Sequence, residues 1–362
     1  MAEFIHKDIG ITGIACTVPQ NRIDIKEYYC KFGQKTVDAF MEKTGVKGFH
    51  RAVEEQTASD LCYLSAKRII ECKNIDREEI GAIVFVSQTP DYVSPATAHV
   101  LHERLGLSQK CIAFDINLGC SGWVFGINVC ASLMETSNIT KALVCFGDTS
   151  SKTISPEDGA QIMLMGEAGS ATLLERKDGE IIHSELMSDG TGYKAIIIPS
   201  GAFRNRKGSH ERTMWPVDGY VRSDFDSYMN GMDVFGFAIT RVPRTVKNYL
   251  RNSRLSLDVF DSVVLHQANL LILQQIAKKL KISFEKIPIS LERYGNTSGT
   301  SVPLTICDKY GSSDENRNVR LLGCGFGVGL SWGIIDFRIN KQDIFTIDES
   351  DEFYRMGGLS HE

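Results

Sequence analysis

The sequence has no run of 18 apolar residues, and its first eight residues lack both the cationic start and the long apolar stretch of a signal peptide. We therefore expect neither a membrane-spanning helix nor secretion. A basic excess is also missing, because 40 Lys and Arg stand against 45 Asp and Glu, a formal charge of −5. This balance argues against a general nucleic-acid or anionic-membrane binder, although it leaves room for a local basic patch.

Motifs for cofactors are equally scarce. The sequence has no Cys-x-x-Cys, no metal-ligand spacing and no P-loop, and the glycines of residues 325–329 lack the dinucleotide-binding spacing. We expect no bound metal and no cofactor. Of the ten cysteines, we expect all but Cys120 to be reduced core thiols of a cytoplasmic protein, since most lie in apolar runs.

What the sequence does contain is the alternation of an α/β protein. With 362 residues, 43% of them hydrophobic, it can bury a large core. Apolar runs typical of buried strands alternate with segments of helical spacing. The predicted strands cover residues 9–16, 83–87, 111–116, 142–148 and 168–175, and the predicted helices cover 25–42, 57–72, 96–105 and 271–280.

One cysteine occupies an unusual place. The apolar run of residues 114–118 ends in Gly119-Cys120-Ser121-Gly122, and an apolar segment of helical length follows. Such a strand-to-helix turn would put Cys120 at a helix N-terminus, where unpaired N–H groups and the macrodipole lower a thiol pKa. On this stretch alone, a buried structural cysteine is an equally good interpretation.

A cysteine nucleophile needs partners, and two lie downstream. His266 ends the apolar run of residues 263–265, and Asn296 lies in the small polar loop of residues 293–301. Taken singly, a satisfied core histidine and a turn-forming asparagine are the better interpretations. Together with Cys120 they favour a catalytic group.

Four separated motifs point to one family. They are Gly-Cys-Ser-Gly at residues 119–122, His-Gln-Ala-Asn at 266–269, Tyr-Gly-Asn-Thr-Ser at 294–298 and Gly-Phe-Gly-Val-Gly-Leu-Ser-Trp-Gly at 325–333. In this order they resemble the β-ketoacyl-acyl carrier protein synthase III family of thiolase-like condensing enzymes. The resemblance runs from about residue 9 to residue 339.

The resemblance implies an α/β thiolase-like fold of two duplicated halves in a five-layered αβαβα sandwich, assembled as a homodimer. We expect the halves to cover residues 1–180 and 181–340, with a long excursion over 191–227. An acidic tail, residues 341–362, extends beyond the usual end of the family. We expect it to be mobile, or else to be anchored by Phe345, Phe353 and Tyr354.

The implied chemistry has two halves. Cys120 would take an acyl group from a thioester, and a malonyl thioester would then lose carbon dioxide and attack the acyl-enzyme to give a 3-oxoacyl product. Backbone N–H groups of Cys120 and Val328 would form the first oxyanion hole. His266 and Asn296 would donate hydrogen bonds to the malonyl thioester oxygen.

The resemblance also implies an acyl-CoA or other acyl thioester as substrate and an acyl carrier protein as partner. Lys43, Asn269, Lys278 and Lys279 are the expected carrier- or pantetheine-binding residues. The sequence departs from the family at Lys43 and Leu271, where arginines are usual, and at Phe40, where tryptophan is typical. We therefore expect the malonyl group to be used better from a carrier protein than from coenzyme A.

Two other functions remain open at this stage. A cysteine acyltransferase of the same fold would pass its acyl group to an alcohol or amine without decarboxylation. A catalytically idle scaffold is disfavoured because Cys120, His266 and Asn296 are all present. The sequence does not indicate acyl chain length or pathway.

Overall fold

The computed structural model describes residues 2–313 and 315–355, and the following elements belong to these ranges. The strands are β1 (Ala2–Pro19), β2 (Arg22–Asp24), β3 (Gly48–His50), β4 (Ile80–Val86), β5 (Ile112–Ile116), β6 (Lys141–Asp148), β7 (Ala168–Ser188), β8 (Ile196–Ile197), β9 (Thr213–Met214), β10 (Val221–Arg222), β11 (Tyr228–Met229), β12 (Ser262–Leu265), β13 (Asn318–Gly327), β14 (Ser331–Asn340) and β15 (Asp348–Ser350). The helices are α1 (Tyr29–Phe32), α2 (Gln34–Thr44), α3 (Ala58–Cys72), α4 (Thr97–Arg104), α5 (Gly122–Glu135), α6 (Gly159–Ile162), α7 (Gly231–Ser253), α8 (Leu270–Leu280), α9 (Leu291–Tyr294) and α10 (Ser301–Tyr310).

Two sheets of the same design share the long strands β1 and β7. In the first, the order is β5-β4-β6-β7-β1, with β4 parallel to β5 and β6 and antiparallel pairing from β6 onward. In the second, the order is β12-β13-β14-β7-β1, with β12 parallel to β13 and antiparallel pairing from β13 onward. The segments β4-β6-β7-β1 and β12-β13-β14-β7 each have one parallel pair followed by two antiparallel pairs, and this repeat gives the fold its two similar halves.

The strand β7 passes from one sheet to the other. Its first part, residues 168–175, pairs with β6, and its last part, residues 183–188, pairs with β14. An irregularity opposite Asp8 separates the two registers with β1. We propose the division of the halves at residue 180 because it falls between these two paired segments.

Helices form three layers around the two sheets. The apolar helix α5 packs against strands of both sheets, and α10 contacts β1, β12 and β13, so these helices form the middle layer. Helices α3 and α4 cover the outer face of the first sheet. Helices α7 and α8 cover the second. This αβαβα arrangement is the expected thiolase-like sandwich, because each sheet has to bury both of its apolar faces.

Most predicted elements are confirmed within a few residues, including α3, α4, α8 and the strands β4, β5 and β6. The predicted helix 25–42 is broken. A 3₁₀ turn and α1 end at Gly33, whose φ of +83° interrupts the helical backbone before α2 begins. None of the helices in the described ranges combines the length and apolar character that crossing a membrane requires.

The excursion of residues 191–227 contains one short hairpin, formed by β9 and β10, and the pairing of β8 with β11 closes the excursion at its base. The buried guanidinium of Arg222 holds this hairpin against α6, since its Nε lies 2.7 Å from the carboxylate of Asp158 and its Nη1 bonds Asp218.

The acidic tail is docked rather than mobile through residue 355, so the expectation of mobility is wrong for this part. Its strand β15 pairs in parallel with the end of β1. The side chain of Gln56 donates hydrogen bonds to the carbonyls of Ser350 and Glu352, and Arg68 forms an ion pair with Asp348. Arg104 lies over the ring of Tyr354. Residues 356–362 lie outside the described residues.

Candidate active site

Cys120 lies in the turn between β5 and α5, two residues before the helix begins. The Gly122 N–H donates to the Gly119 carbonyl at 2.7 Å and closes this turn. The residue as a whole is partly exposed, although protein atoms surround its sulfur, and Ser121 and Gly122 are buried. The expected geometry of a cysteine just ahead of a helix N-terminus is therefore present.

The glycine-rich end of β13 approaches Cys120 closely. A Cβ atom on Gly327 would lie 2.6 Å from the Cys120 Cβ and 2.8 Å from its Sγ, so only glycine fits there. The next residue, Val328, directs its backbone N–H toward the same sulfur, as does the N–H of Cys120 itself. These are the two N–H groups predicted for the oxyanion hole, and the structure brings them together at the reacting atom.

The electrostatic environment of the thiol differs from the sequence prediction. Burial is the main reason that the pKa of Cys120 is raised to about 11; the charge of Asp148 also raises it, and hydrogen bonds from Val328 and Ser298 oppose this rise. The expectation of a lowered pKa at a helix N-terminus is therefore wrong. The physical reason is that surrounding loops remove water from the sulfur, which disfavours its charged form.

His266 follows the buried strand β12 and is only 2% exposed. Burial lowers the pKa of its imidazole to about 4, against a smaller opposing effect of the Ser298 main chain. Its ring packs edge-on against Phe326, with centroids 5.2 Å apart. The imidazole is therefore neutral at physiological pH, which suits a hydrogen-bond donor more than an acid.

Asn296 is held at the loop between α9 and α10. Its main chain is fixed on both sides, because its N–H donates to the Leu164 carbonyl and its own carbonyl accepts from Gly166. Its Oδ1 accepts the Ser298 N–H at 3.0 Å. This bond assigns the oxygen end of the amide, so the NH₂ end is the one available to a substrate oxygen.

Ser298 lies at the centre of Cys120, His266 and Asn296, and its position in the sequence predicted no role for it. Its Oγ lies 4.0 Å from the Cys120 Sγ, its N–H binds Asn296, and its main chain faces His266. The residue has a φ of +53°, a left-handed conformation that non-glycine residues seldom adopt. Strain of this kind clusters at functional sites, but a serine in a polar loop gives no sign of it in the sequence.

The residues predicted to bind the carrier or its pantetheine arm are only partly brought together. Lys43 lies exposed in the last turn of α2, and Gly45 just beyond packs on Leu270 of α8. Asn269 caps α8 by accepting the Ile272 N–H at 2.8 Å, so its side-chain oxygen has a structural role. Lys278 and Lys279 are exposed in the last turn of α8, about 14 Å along the helix from Asn269.

The expectation that the nine other cysteines all lie in the core is wrong for two of them. Seven of them are buried free thiols, but Cys30 and Cys72 are exposed, so they do not belong to the core. Both lie on helices, where the apolar neighbours in sequence face the interior and the cysteine faces solvent. In the described part of the chain, no three His, Cys, Asp or Glu side chains form a group that could hold a metal ion.

The site combines a cysteine just ahead of a helix, two backbone N–H donors on its sulfur, and a neutral histidine and an asparagine that share Ser298 with it, which is the arrangement of a thiolase-like condensing enzyme. Comparisons with known proteins agree. Residues 114–190 match the family model for 3-oxoacyl-[acyl-carrier-protein] synthase III, and residues 250–339 match the model for its C-terminal part.

Relatives extend this match over nearly the whole chain. A putative 3-oxoacyl-[acyl-carrier-protein] synthase 3 of Campylobacter jejuni is 31% identical over 93% of this chain and 95% of its own. A β-ketoacyl-[acyl-carrier-protein] synthase III of Clostridium acetobutylicum is 32% identical over 92% and 99%. The crystal structure of a 3-oxoacyl-(acyl-carrier protein) synthase from Burkholderia xenovorans superposes with a TM-score of 0.91 at 32% identity, covering 96% and 99%. The chain belongs to the 3-oxoacyl-[acyl-carrier-protein] synthase III family of acyltransferases.

Proposed function

We propose that this chain joins an acyl group to a malonyl thioester by decarboxylative Claisen condensation, giving a 3-oxoacyl thioester. The observation that carries the proposal is the convergence of Cys120, His266 and Asn296 on Ser298, beside the N–H group of Val328. A nucleophile, a backbone oxyanion hole and two neutral side-chain donors are the groups that the two half-reactions need.

In the first half-reaction, the Cys120 sulfur attacks the carbonyl carbon of an acyl thioester. A carbon–sulfur bond to Cys120 forms, the bond to the original thiol breaks, and that thiol leaves. Negative charge develops on the carbonyl oxygen before that thiol leaves, and we assign its stabilisation to the N–H groups of Val328 and Cys120, which lie at the attacking sulfur. Because backbone N–H groups are already oriented before the reaction, little free energy is spent on reorienting them in the transition state.

In the second half-reaction, the malonyl carboxylate leaves as carbon dioxide, and its bonding electrons form an enolate. His266 and the NH₂ group of Asn296 donate to the enolate oxygen, and the enolate carbon attacks the carbonyl carbon of acyl-Cys120. The new carbon–carbon bond forms, the bond from that carbon to the Cys120 sulfur breaks with its electron pair, and the sulfur takes up a proton to restore the thiol. The low pKa of His266 supports this role, because a neutral imidazole adds no charge that would hold the malonyl carboxylate in place. The buried site further disfavours that carboxylate relative to neutral carbon dioxide.

We propose an acyl-CoA as acyl donor and a malonyl-acyl carrier protein as extender. The exposed Lys278 and Lys279 support a carrier protein as the source of the malonyl group. Neither side chain has an ion-pair partner among the described residues, so both can attract an acidic carrier protein. Lys43 and Asn269 lie near the junction of α2 and α8, where a pantetheine arm would enter.

We also propose that the protein is a cytoplasmic homodimer. The strand β5 is an edge strand in the described structure, and Ile112 on it is 44% exposed. An apolar edge strand is a template for pairing with a second copy across a two-fold axis. Free cysteines throughout the described chain support a reducing compartment.

The test is a two-step reaction followed by mass spectrometry. A panel of acyl-CoA esters should add the corresponding acyl mass to Cys120, and malonyl-acyl carrier protein should then release carbon dioxide and discharge Cys120 as a 3-oxoacyl product. The Cys120→Ala variant should form neither adduct nor condensation product. Acylation followed by transfer to an alcohol or amine, without carbon dioxide release, would instead support the acyltransferase alternative.

A further inference from the structure

The carboxyl group of Asp148 is buried close to Cys120 and has no role in the mechanism above. It ends β6 and is only 3% exposed. Its Oδ1 accepts hydrogen bonds from the Gln88 N–H at 2.7 Å, the Ser87 hydroxyl at 3.0 Å and the Thr89 hydroxyl at 3.4 Å. In residues 2–313 and 315–355 no cation lies within ion-pair distance of it. Burying a carboxyl group without a cation is costly, which makes a purely structural role a poor explanation.

A single hydroxyl group connects this carboxyl group to the nucleophile. The Ser298 side chain acts on the Asp148 carboxyl group as a hydrogen-bonding group that lowers its pKa, and the same Oγ lies 4.0 Å from the Cys120 Sγ. A hydroxyl can accept one proton while it donates another. The left-handed backbone of Ser298 holds its oxygen between the two groups.

We propose that Asp148 receives the thiol proton of Cys120 through the Ser298 hydroxyl as the cysteine attacks the acyl thioester. This inference rests on the proposed function, because it concerns the acylation half-reaction. Ser298, which touches the reacting sulfur, is then a catalytic residue, and Asp148 acts through it.

The proton and electron balance of the step is closed. The Cys120 proton moves to the Ser298 Oγ while the Ser298 hydroxyl proton moves to the Asp148 carboxylate, and the sulfur lone pair forms the bond to the acyl carbon. When the tetrahedral intermediate collapses, the bond to the leaving sulfur breaks with its electron pair. The proton returns from Asp148 through Ser298 to that leaving sulfur, so Asp148 ends the step as a carboxylate.

The charge distribution explains why such a relay is useful in a buried site. As a carboxylate, Asp148 opposes a thiolate on Cys120 and raises its pKa. Once protonated, it no longer does so. The pocket then holds one negative charge throughout, which moves from the carboxylate to sulfur to the oxyanion, and no charge has to be added to a dry site.

The other titratable groups around Asp148 do not offer an alternative acceptor. Burial raises the pKa of Asp148 itself, which brings it closer to that of the thiol. Cys62 of α3 faces Asp148, but burial raises its pKa far above the usual value. His266 is poorly basic, because burial lowers its pKa to about 4.

The experiment is single-turnover acylation of Cys120 by an acyl-CoA as a function of pH. With an internal proton acceptor, the wild-type rate should be flat from about pH 7 to pH 9. In Asp148→Asn and in Ser298→Ala the proton must leave to water. Their rates should rise about tenfold per pH unit and be roughly a hundredfold below wild type at pH 7.

Two further variants sharpen this result. Ser87→Ala removes a donor to Asp148 but leaves the relay, so it should keep the flat region. His266→Ala should also keep the flat region of the acylation rate. If His266→Ala were the only variant to lose this flat region, His266 would be the base and the proposal would be overturned.

The relay is also overturned if Asp148→Asn acylates as fast as wild type or faster at pH 7, since removal of an opposing charge alone would have that effect. Circular dichroism checks the fold, and if Asp148→Asn does not fold, Ser298→Ala decides by the same criteria. Failure of the wild-type protein to acylate Cys120 at any pH would contradict the proposed function itself, and the relay with it. Wild-type acylation with an unchanged profile in both relay variants would contradict the relay alone.

Discussion

The Oγ atom of Ser301 lies 2.7 Å from Nδ1 of His266. The same oxygen accepts the Gln267 N–H at 3.2 Å, which leaves the Ser301 hydroxyl proton free to bind Nδ1. This pattern assigns the ring proton to Nε2, on the side away from Ser301. The first residue of α10 thereby sets which face of the imidazole can donate to a substrate.

We expect Ser301→Ala to slow malonyl decarboxylation about tenfold, because one hydrogen bond of roughly 1.4 kcal/mol that selects the tautomer is lost. Acylation of Cys120 should stay at the wild-type rate. Ser301→Thr, which retains the hydroxyl, should recover decarboxylation. Carbon dioxide release and acyl-enzyme formation, measured separately, would show the difference, and equal loss of both would point to general disruption of the site.

The pKa of His266 makes a second prediction about pH. Because burial lowers it to about 4, the neutral imidazole persists as the pH falls and is lost only near that value. Decarboxylation of a malonyl thioester should therefore be constant from pH 8 to about pH 5.5. Loss of activity with a midpoint near 6.5, the value of an unperturbed histidine, would contradict this. Circular dichroism at each pH guards against unfolding.

Much of this site follows from local sequence. The strand-turn-helix around Cys120 is visible because apolar periodicity changes at a pair of glycines, and the element bounds of β5 and α5 agree with it. The rest depends on contacts between distant segments. Gly327 and Ser298 come from parts of the chain about 200 residues away, and their approach buries the thiol and reverses the expected direction of its pKa shift.

The position of the acidic tail also depends on contacts with distant segments that the local sequence does not predict. Its acidic residues favour a solvated chain, because only Lys341 and Arg355 stand among them in the sequence. In the folded protein, Lys73, just after α3, pairs with Asp343, and Arg68 of α3 pairs with Asp348. Pairing of β15 with β1 supplies backbone hydrogen bonds that no local pattern predicts.

A third prediction separates the two half-reactions. His266→Ala and Asn296→Ala should both form acyl-Cys120, since acylation uses the Val328 and Cys120 N–H groups, but each should lose condensation by roughly 10²–10³. Intact-protein mass spectrometry follows the first step, and product chromatography follows the second. Condensation at the parental rate in both variants would remove these residues from the mechanism.

A fourth prediction concerns cysteine labelling. Because Cys30 and Cys72 are exposed and Cys120 is partly exposed, brief iodoacetamide treatment should modify these three before the seven buried thiols. Only Cys120 should be protected by prior acylation. A Cys30→Ser, Cys72→Ser variant should retain activity and show acyl-protectable labelling at one site. Peptide mapping measures both, and rapid labelling of a buried cysteine would contradict the packing described here.

The last prediction concerns how the extender arrives. Exposed Lys278 and Lys279 at the end of α8 offer a positive surface to an acidic carrier protein, so the encounter should be steered by charge and screened by salt. Raising salt from about 0.05 to 0.5 M, which shortens the Debye length severalfold, should raise KM for malonyl-acyl carrier protein. Lys278→Glu with Lys279→Glu should raise this KM too.

The matched control, Lys7→Glu with Lys177→Glu, reverses two exposed charges on β1 and β7 and should leave KM unchanged. Malonyl-CoA should be the poorer extender, because Leu271 offers no charge to its phosphates. Equal use of both extenders, without an effect of salt or charge reversal, would show that a carrier does not dock on α8.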